Sequence, residues 1–290
     1  MSASVNSQTF ENAQFLGRVQ DLLTRSLSRL SSGERIVSPA DDSQGVGLIE
    51  KLGAQDKRVQ AASTNVQNAA SYLQSVDGFI AAMNKMVTRM SELSVMASDG
   101  MKNSGDIALY REEFRQIQQQ LRSTIGGTTA EIGGTADITK PLGTFNGIVL
   151  FGANPAGLPI ASGASGETIV IPQNNLRDGA MLDVIQQDAS GNFILDITDP
   201  TAIAKIKAAV QDLADERGSV GAVSRRFEIA GESLSKRDED LQKSTSSIRD
   251  VDIATESTRL SKYQMISQAA SMILAQATQS PKSVLKLLNS

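Results

Sequence analysis

Residues 52–90 read LGAQDKRVQAASTNVQNAASYLQSVDGFIAAMNKMVTRM, and their periodicity decides the fold class. Stepping alternately three and four residues from Leu52 picks out Gln55, Val59, Ala62, Val66, Ala69, Leu73, Val76, Ile80, Met83, Val87 and Met90. Eleven of these twelve are apolar. That is the a/d seam of a helix sustained over five heptads. A helix over residues 44–98 is roughly 80 Å long at ~1.5 Å per residue. Whether it belongs to a coiled coil or to an ordinary bundle, the seam needs partner helices to cover it.

Candidates lie on both sides. Residues 12–30 carry Leu16, Val19, Leu23, Leu27 and Leu30 at helical spacing, and residues 106–125 carry Ile107, Tyr110, Phe114, Ile117, Leu121 and Ile125. Toward the other end, residues 201–247 carry Ile203, Ile206, Val210, Leu213, Val220, Phe227, Leu234 and Leu241. Residues 250–288 carry Ile253, Leu260, Ile266, Ala270, Ile273, Val284, Leu285 and Leu288. The middle differs: residues 126–191 hold 12 of the 23 glycines, and residues 141–200 hold 5 of the 7 prolines. Short β-like runs sit there at Gly147–Phe151, Glu167–Ile171 and Asn192–Ile197, the last preceded by a Ser-Gly-Asn turn signal. The predicted fold is mainly α: a long antiparallel coiled-coil or helical bundle of N- and C-terminal halves with a small β-rich central insert. The two halves must meet, because neither buries its stripe alone.

Between the first two helical patterns lies LSSGERIVSPADD, residues 30–42. Gly33 stands where a C′ glycine ends a helix. Ser38, Pro39 and Asp41 read as N-cap, N1 and N3 of the next helix, with the Asp41 charge favouring the helix dipole. The alternative readings of this stretch are weaker. There is no GxxxxGK[ST] and no preceding strand, so it is not a phosphate loop. The Asp41/Asp42 pair is explained by helix capping without chemistry. On the C-terminal side, the polar stretch Gln242–Ser247 is expected to make the corresponding break.

Composition narrows the function. The chain has 290 residues with no Cys, no His and a net charge of −4. Without Cys there are no disulfides, thiolate metal sites or thiol nucleophiles. Without His, the commonest general base and metal ligand are missing and a Ser-His-Asp triad is impossible. Neither a catalytic site nor a metal or cofactor is expected. The net charge disfavours nucleic acid as a partner, and no apolar run reaches the ~18 residues of a membrane span. The first residues, MSASVNSQTFENAQ, show neither a basic n-region nor an apolar h-region. That leaves the expectation of a cytoplasmic protein, or of one exported by a route that needs no cleaved signal.

LSSGERIVSPADDSQG at 30–45 resembles the N-terminal signature of the flagellins: a Leu-Ser-Ser-Gly turn, then Arg-Ile and an Asp-Asp pair. Thr144-Phe145-Asn146-Gly147 is similar to that family's motif before its small β region. GSVGAVSRRFE at 218–228 and IRDVDIATESTRLSKYQMISQAASMILAQATQSPKSVLKLLN at 248–289 extend the likeness through the C-terminal half. Pro39 and the Ser43-Gln44 pair depart from the pattern, and the insert is short, as in a flagellin lacking large outer domains.

The resemblance implies a structural subunit of the bacterial flagellar filament, extracellular and self-assembling into a helical tubular propeller for swimming. It divides the chain into an inner coiled-coil domain (1–43 and 248–290), a helical rod domain (44–125 and 200–247) and a β-rich insert of the rod (126–199). Leu16, Leu23, Leu30, Leu260, Ile266, Ile273 and Leu285 would be the inner-helix polymerisation residues. Implied partners are further copies of the chain, an export chaperone on the C-terminal segment of a type III apparatus, and hook-associated and cap proteins. A host Toll-like receptor contact falls on Arg89, Leu93 and Glu113, with Ser91 where many recognised flagellins carry a second Arg. Two alternatives differ in class: a hook–filament junction protein with the same terminal helices, and an intracellular coiled-coil scaffold or carboxylate enzyme.

Overall fold

The computed structural model describes residues 2–152 and 156–288, with side chains described from 10 to 277 within that range. In chain order the elements are α1 (Ser2–Ser32), α2 (Ser43–Ala97), α3 (Ser104–Ile125), α4 (Thr129–Ile132), β1 (Thr144–Phe145), β2 (Ile148–Val149), β3 (Leu158–Ala161), β4 (Thr168–Ile171), α5 (Gly179–Ile185), α6 (Ala202–Arg249) and α7 (Ile253–Leu288). They form two compact units, Met1–Lys57 with Glu239–Ser290, and Arg58–Asp238. The divisions fall inside α2 and α6, not at residues 43/44 and 247/248 where the sequence breaks its pattern.

The Arg58–Asp238 unit is built on the heptad seam. From Val59 to Met90 every a and d residue of α2 is buried, and Leu93 and Ala97 continue the row. Earlier on the same helix, Leu52 and Gln55 are only half-buried. α3 buries Phe114, Leu121 and Ile125, and α6 buries Ile206, Leu213, Val220, Phe227 and Leu234. Two ion pairs fasten the three helices from outside: Arg89 of α2 to Glu113 of α3, and Arg217 of α6 to Asp77 of α2, each at 2.7 Å. Asn103 caps α3 by accepting from the Asp106 N–H at 2.8 Å, and Gly126, at φ 66°, ends it.

The insert hangs on two buried polar side chains of α3. Gln118 Nε2 donates to the carbonyls of Val184 (2.9 Å) and Leu195 (3.1 Å). Arg122 donates to the carbonyls of Ile132, Gly133 and Ile185. These side chains satisfy backbone groups that short irregular segments cannot pair among themselves. β1 and β2 form a tight antiparallel hairpin through Asn146 and Gly147, whose φ values of 48° and 79° are those a two-residue type I′ turn requires. β3 and β4 form a second antiparallel pair that turns Leu158, Ile160, Ile169 and Ile171 to one face. Phe145 sets its ring edge-to-face on Tyr72 of α2 at 5.8 Å, and Phe151 does the same on Phe79 at 6.4 Å.

The run 192–197 is not a strand. It makes one isolated bridge, Gln187 with Phe193. Asp188 turns the chain before it, accepting from the Ser190 and Asn192 N–H groups, and Asp196 turns it after, accepting from the Thr198 N–H. Alternation survives, since Leu195 and Ile197 are buried and Ile194 is exposed. Two side-chain turns leave no room for a ladder.

Candidate functional site: the terminal helices and their joint

α1 and α7 pack against each other in the Met1–Lys57, Glu239–Ser290 unit. Two helices have only one shared face, so the apolar side chains divide. Val19 and Ala270 are buried between them, as are two polar side chains, Ser26 and Glu256. Ser26 Oγ donates to Glu256 Oε1, and Arg259 Nη1 lies 3.3 Å from the other carboxylate oxygen, so the buried charge is paired. Of the polymerisation residues expected from sequence, Leu16, Leu23, Leu30, Leu260 and Ile266 are half-buried. Ile273 is 57% exposed. Leu285 lies outside the described side chains. The periodicity did not single out Phe10, Phe15, Leu22, Met265 and Met272, which are all large, apolar and exposed.

Gly33, at φ 73°, ends α1 as expected, its N–H donating to the Arg29 carbonyl at 2.9 Å. The next helix starts four residues later than Ser38 would set it. Ser38-Pro39-Ala40-Asp41 is a β-turn: the Asp41 N–H donates to the Ser38 carbonyl at 2.9 Å, with Pro39 in the i+1 position that suits its fixed φ. Ser38 is therefore not the N-cap, and Pro39 and Asp41 are not N1 and N3. Asp42 is the cap. Its Oδ1 accepts from the Gly45 N–H at 2.8 Å and its carbonyl takes the first helical bond, from Val46. Asp41 instead accepts from the Ser38 N–H and sits 3.8 Å from Arg29.

The C-terminal break also moves. α6 runs through Gln242–Ser247 to Arg249, and the joint is Asp250–Asp252. Ser244 and Ser247 bond back to helix carbonyls, which lets polar residues stay helical. Asp252 caps α7, accepting from the N–H groups of Ala254 (3.0 Å) and Thr255 (3.2 Å). The bond from the Thr255 hydroxyl, together with these backbone bonds, holds its carboxyl below the usual range.

The two joints are opposite each other and pair. Glu34 and Asp250 form an antiparallel bridge. The Arg35 N–H donates to the Arg249 carbonyl at 2.6 Å, and the Val251 N–H to the Gly33 carbonyl at 3.0 Å. The Arg35 side chain adds two bonds, Nε at 3.1 Å and Nη2 at 2.7 Å, both to the Ile248 carbonyl. Neither Arg35 nor Asp252 was singled out from sequence, and Asp42 was read only as half of the Asp41/Asp42 pair, with the cap role given to Ser38. The Asp-x-x-Thr of DIAT and the Asp-x-x-Gly of DSQG carry the capping signal for two of them, whereas the Arg35 contact spans 213 residues and has no local signature.

In the other unit, Arg89 and Glu113 are exposed and joined as a fork, Nε to Oε1 at 2.7 Å and Nη2 to Oε2 at 3.2 Å, with Glu92 accepting from Nη1 at 2.9 Å. The guanidinium holds the Glu113 carboxyl below its ordinary range. Leu93 is completely buried, so it presents no side chain to a binding surface with them. It is a core residue because it continues the a/d row of α2.

Comparison with known proteins places this arrangement. Residues 4–131 match the bacterial flagellin N-terminal helical region, and residues 203–288 match the bacterial flagellin C-terminal helical region. The flagellin of Halalkalibacterium halodurans is 29% identical over 272 residues, which is 91% of each chain. A flagellar filament 33 kDa core protein of Treponema phagedenis is 29% identical over 277 residues, 94% of each. The flagellin of Bacillus subtilis is 29% identical over 288 residues, covering 91% of this chain and 92% of its own. Both helical halves and nearly the whole length are accounted for by a structural, non-enzymatic family of the extracellular flagellum, and nothing favours the hook-associated relatives. The chain belongs to the bacterial flagellins, as a self-polymerising structural subunit of the flagellar filament.

Proposed function

We propose that α1 and α7 are the polymerisation device, the inner domain of 1–43 and 248–290, while the rod 44–125 with 200–247 and its insert 126–199 fold independently of it. The observation that carries this reading is the apolar surface left over when the two helices have packed. Phe10, Phe15, Leu22, Leu27, Met265, Met272 and Ile273 remain 40% or more exposed. Copies of the same pair, stacked in a head-to-tail arrangement that does not close, would cover these side chains and produce an open filament. Burial of each is worth ~1.5–3 kcal/mol. In a lone subunit an isolated pair of helices is marginal, and neighbouring copies complete its order.

The test is a chain lacking residues 1–35 and 250–290, followed by circular dichroism and by seeded polymerisation. A soluble, helical monomer that does not elongate seeds is the expected result. Normal filaments from the truncated chain would remove the terminal helices from the assembly role.

The same exposed α7 face suits a cytoplasmic export chaperone on the C-terminal segment before passage through the flagellar type III apparatus. Cap and hook-associated proteins are the corresponding partners at the filament ends. The Arg89–Glu113 fork is the proposed Toll-like receptor contact, now without Leu93.

A further inference from the structure

We propose that Asn146-Gly147, the tip of the β1–β2 hairpin, is a site of self-modification. The Asn146 side chain deamidates through a cyclic imide, with water as the only co-reactant, and the product unfastens the hairpin from α2. The site lies in the Arg58–Asp238 unit, and nothing in it depends on the role of α1 and α7.

Three observations meet at this turn. Asn146-Gly147 is the one Asn-Gly pair in the sequence. Both residues are exposed, and the space where a Cβ on Gly147 would lie is empty within 4 Å. With no side chain on the second residue, its backbone nitrogen is open to the asparagine amide. The turn bond joins the first residue to the fourth, so the Gly147 N–H is not spent on it, and no other backbone bond of the described turns takes that N–H. The other asparagines are placed differently. Asn65, Asn68 and Asn84 lie inside α2, where the next N–H belongs to the helix ladder. Asn103 is occupied in capping α3, Asn174 is buried, and Asn175 is bonded to Asp178 and to the Arg177 N–H.

Hydroxide removes the Gly147 N–H proton, and the nitrogen attacks Cγ of Asn146. A C–N bond forms, the Cγ–Nδ2 bond breaks, and Nδ2 leaves as ammonia with a proton from water. One water then opens the five-membered imide. Addition at Cγ leaves an aspartate at position 146. Addition at the main-chain carbonyl leaves isoaspartate, whose main chain runs on through Cγ. Nothing is oxidised or reduced.

The turn sets the rate. Asn146 is the one non-glycine residue at positive φ among the described residues, at 48°, and a type I′ turn fixes the following peptide with it. Bringing the Gly147 nitrogen onto Cγ requires that peptide to rotate out of the turn, so the folded chain reacts only when the hairpin tip opens. Two ladder pairs and the edge-to-face contact of Phe145 with Tyr72 oppose that opening. Isoaspartate makes it permanent. It lengthens the main chain by one carbon inside a two-residue loop, so Phe145 and Ile148 no longer close the turn and Phe145 loses its seat on Tyr72. Aspartate does not, because Asp-Gly suits the same turn as Asn-Gly. Below the tip, the Leu150 N–H on the Gly143 carbonyl at 3.0 Å and the Phe151 ring on Phe79 hold the rest of the insert in place.

The test ages the full-length chain in mildly alkaline buffer beside a free peptide of residues 144–149. Peptide mapping follows conversion at each asparagine, and enzymatic methyl transfer counts isoaspartate. Position 146 is expected to convert first, faster as hydroxide rises, with isoaspartate the main product. The folded chain should react at least about fivefold more slowly than the peptide, because the tip must open first. Phe145→Ala should recover about fivefold, the weight of one edge-to-face ring pair.

The chain has three tyrosines and no tryptophan, so its near-ultraviolet circular dichroism reports on Tyr72, and that signal should change as the wild type ages. Asn146→Gly keeps a turn that glycine pairs also suit and carries no amide, so its signal should stay constant. Unaged Asn146→Asp should match unaged wild type, which separates the added charge from the lengthened main chain. A position 146 still unmodified when the peptide has fully converted overturns the site, as does another asparagine converting first. Equal rates in the folded chain, Phe145→Ala and the peptide overturn the turn's control of the reaction. A converted chain with an unchanged tyrosine signal overturns the unfastening of the hairpin.

Discussion

Nη1 of Arg122 lies 2.5 Å from the Ile132 carbonyl oxygen, and this contact ties the Gly-rich insert to α3. Arg122 is 2% exposed, and its described bonds all go to backbone carbonyls. Burial pulls its pKa down, though a guanidinium stays charged. Arg122→Ala would strip the guanidinium from the Ile185 and Gly133 carbonyls and leave Ile132 with only the Gln187 N–H, at ~1–3 kcal/mol for each buried acceptor left short. We expect a loss of about 3 kcal/mol or more in urea unfolding. Arg122→Lys should recover only part of it, because an ammonium cannot span the forked geometry.

The register of the α2 seam is tested by a matched pair. Val76 is fully buried, while Ala82, on the same helix, is exposed. Val76→Asp places an unpaired charge in the core, a severe destabilisation of about 4 kcal/mol or more. Ala82→Asp should stay within about 0.5 kcal/mol of wild type. Equal thermal midpoints for the two variants would mean the seam is read in the wrong frame.

Glu216 gives a pH dependence of defined sign. Burial raises its pKa above the ordinary 4.5, and the carboxylates of Asp212, Asp178 and Asp215 raise it further. The folded chain therefore holds this proton more tightly than the unfolded chain. The penalty is absent below the ordinary value, grows as pH rises toward the folded value, and is complete above it. Glu216→Gln should raise the melting temperature at pH 7 and lose that advantage near pH 4. A larger gain at the acid end would contradict the assignment.

The cap of α2 predicts a steric result. A Cβ on Gly45 would fall 2.6 Å from Asp42 Oδ2 and 2.7 Å from Ile36 Cδ1. Gly45→Ala should cost stability despite the better helix propensity of alanine, by about as much as Asp42→Ala, ~0.5–2 kcal/mol. Combining the two should cost less than their sum, measurable as a double-mutant cycle.

At the proposed receptor contact, stability and recognition should separate. The Arg89–Glu113 fork is exposed on both sides, so Arg89→Ala should shift the thermal midpoint very little. Monomer carrying the substitution should give a reduced response in a Toll-like receptor reporter cell. An undiminished response removes Arg89 from the contact.

The helical architecture was legible because heptad spacing is a local property: a 55-residue helix repeats its signal many times, and misreading one residue changes little. Gly33 was legible for a similar reason, since only a terminating residue needs its backbone conformation. The caps were readable only to within a few residues. Ser38 and Asp42 both qualify by type, and the choice between them was made by Ile36, whose burial against Gly45 leaves Ser38–Asp41 to turn instead of starting a helix. Residues 192–197 alternate like a strand, yet among the described residues their pairing stops at the single bridge of Phe193 with Gln187. Leu93 looked like a surface residue beside Arg89 and proved to be the next step of the seam. The insert's attachment through Gln118 and Arg122, and the joining of residues 33–35 to 248–251, lay beyond sequence reading altogether. Those bonds link side chains to backbone carbonyls far away in the chain, and a carbonyl carries no residue identity. Only the folded path of the chain decides which ones a given arginine will reach.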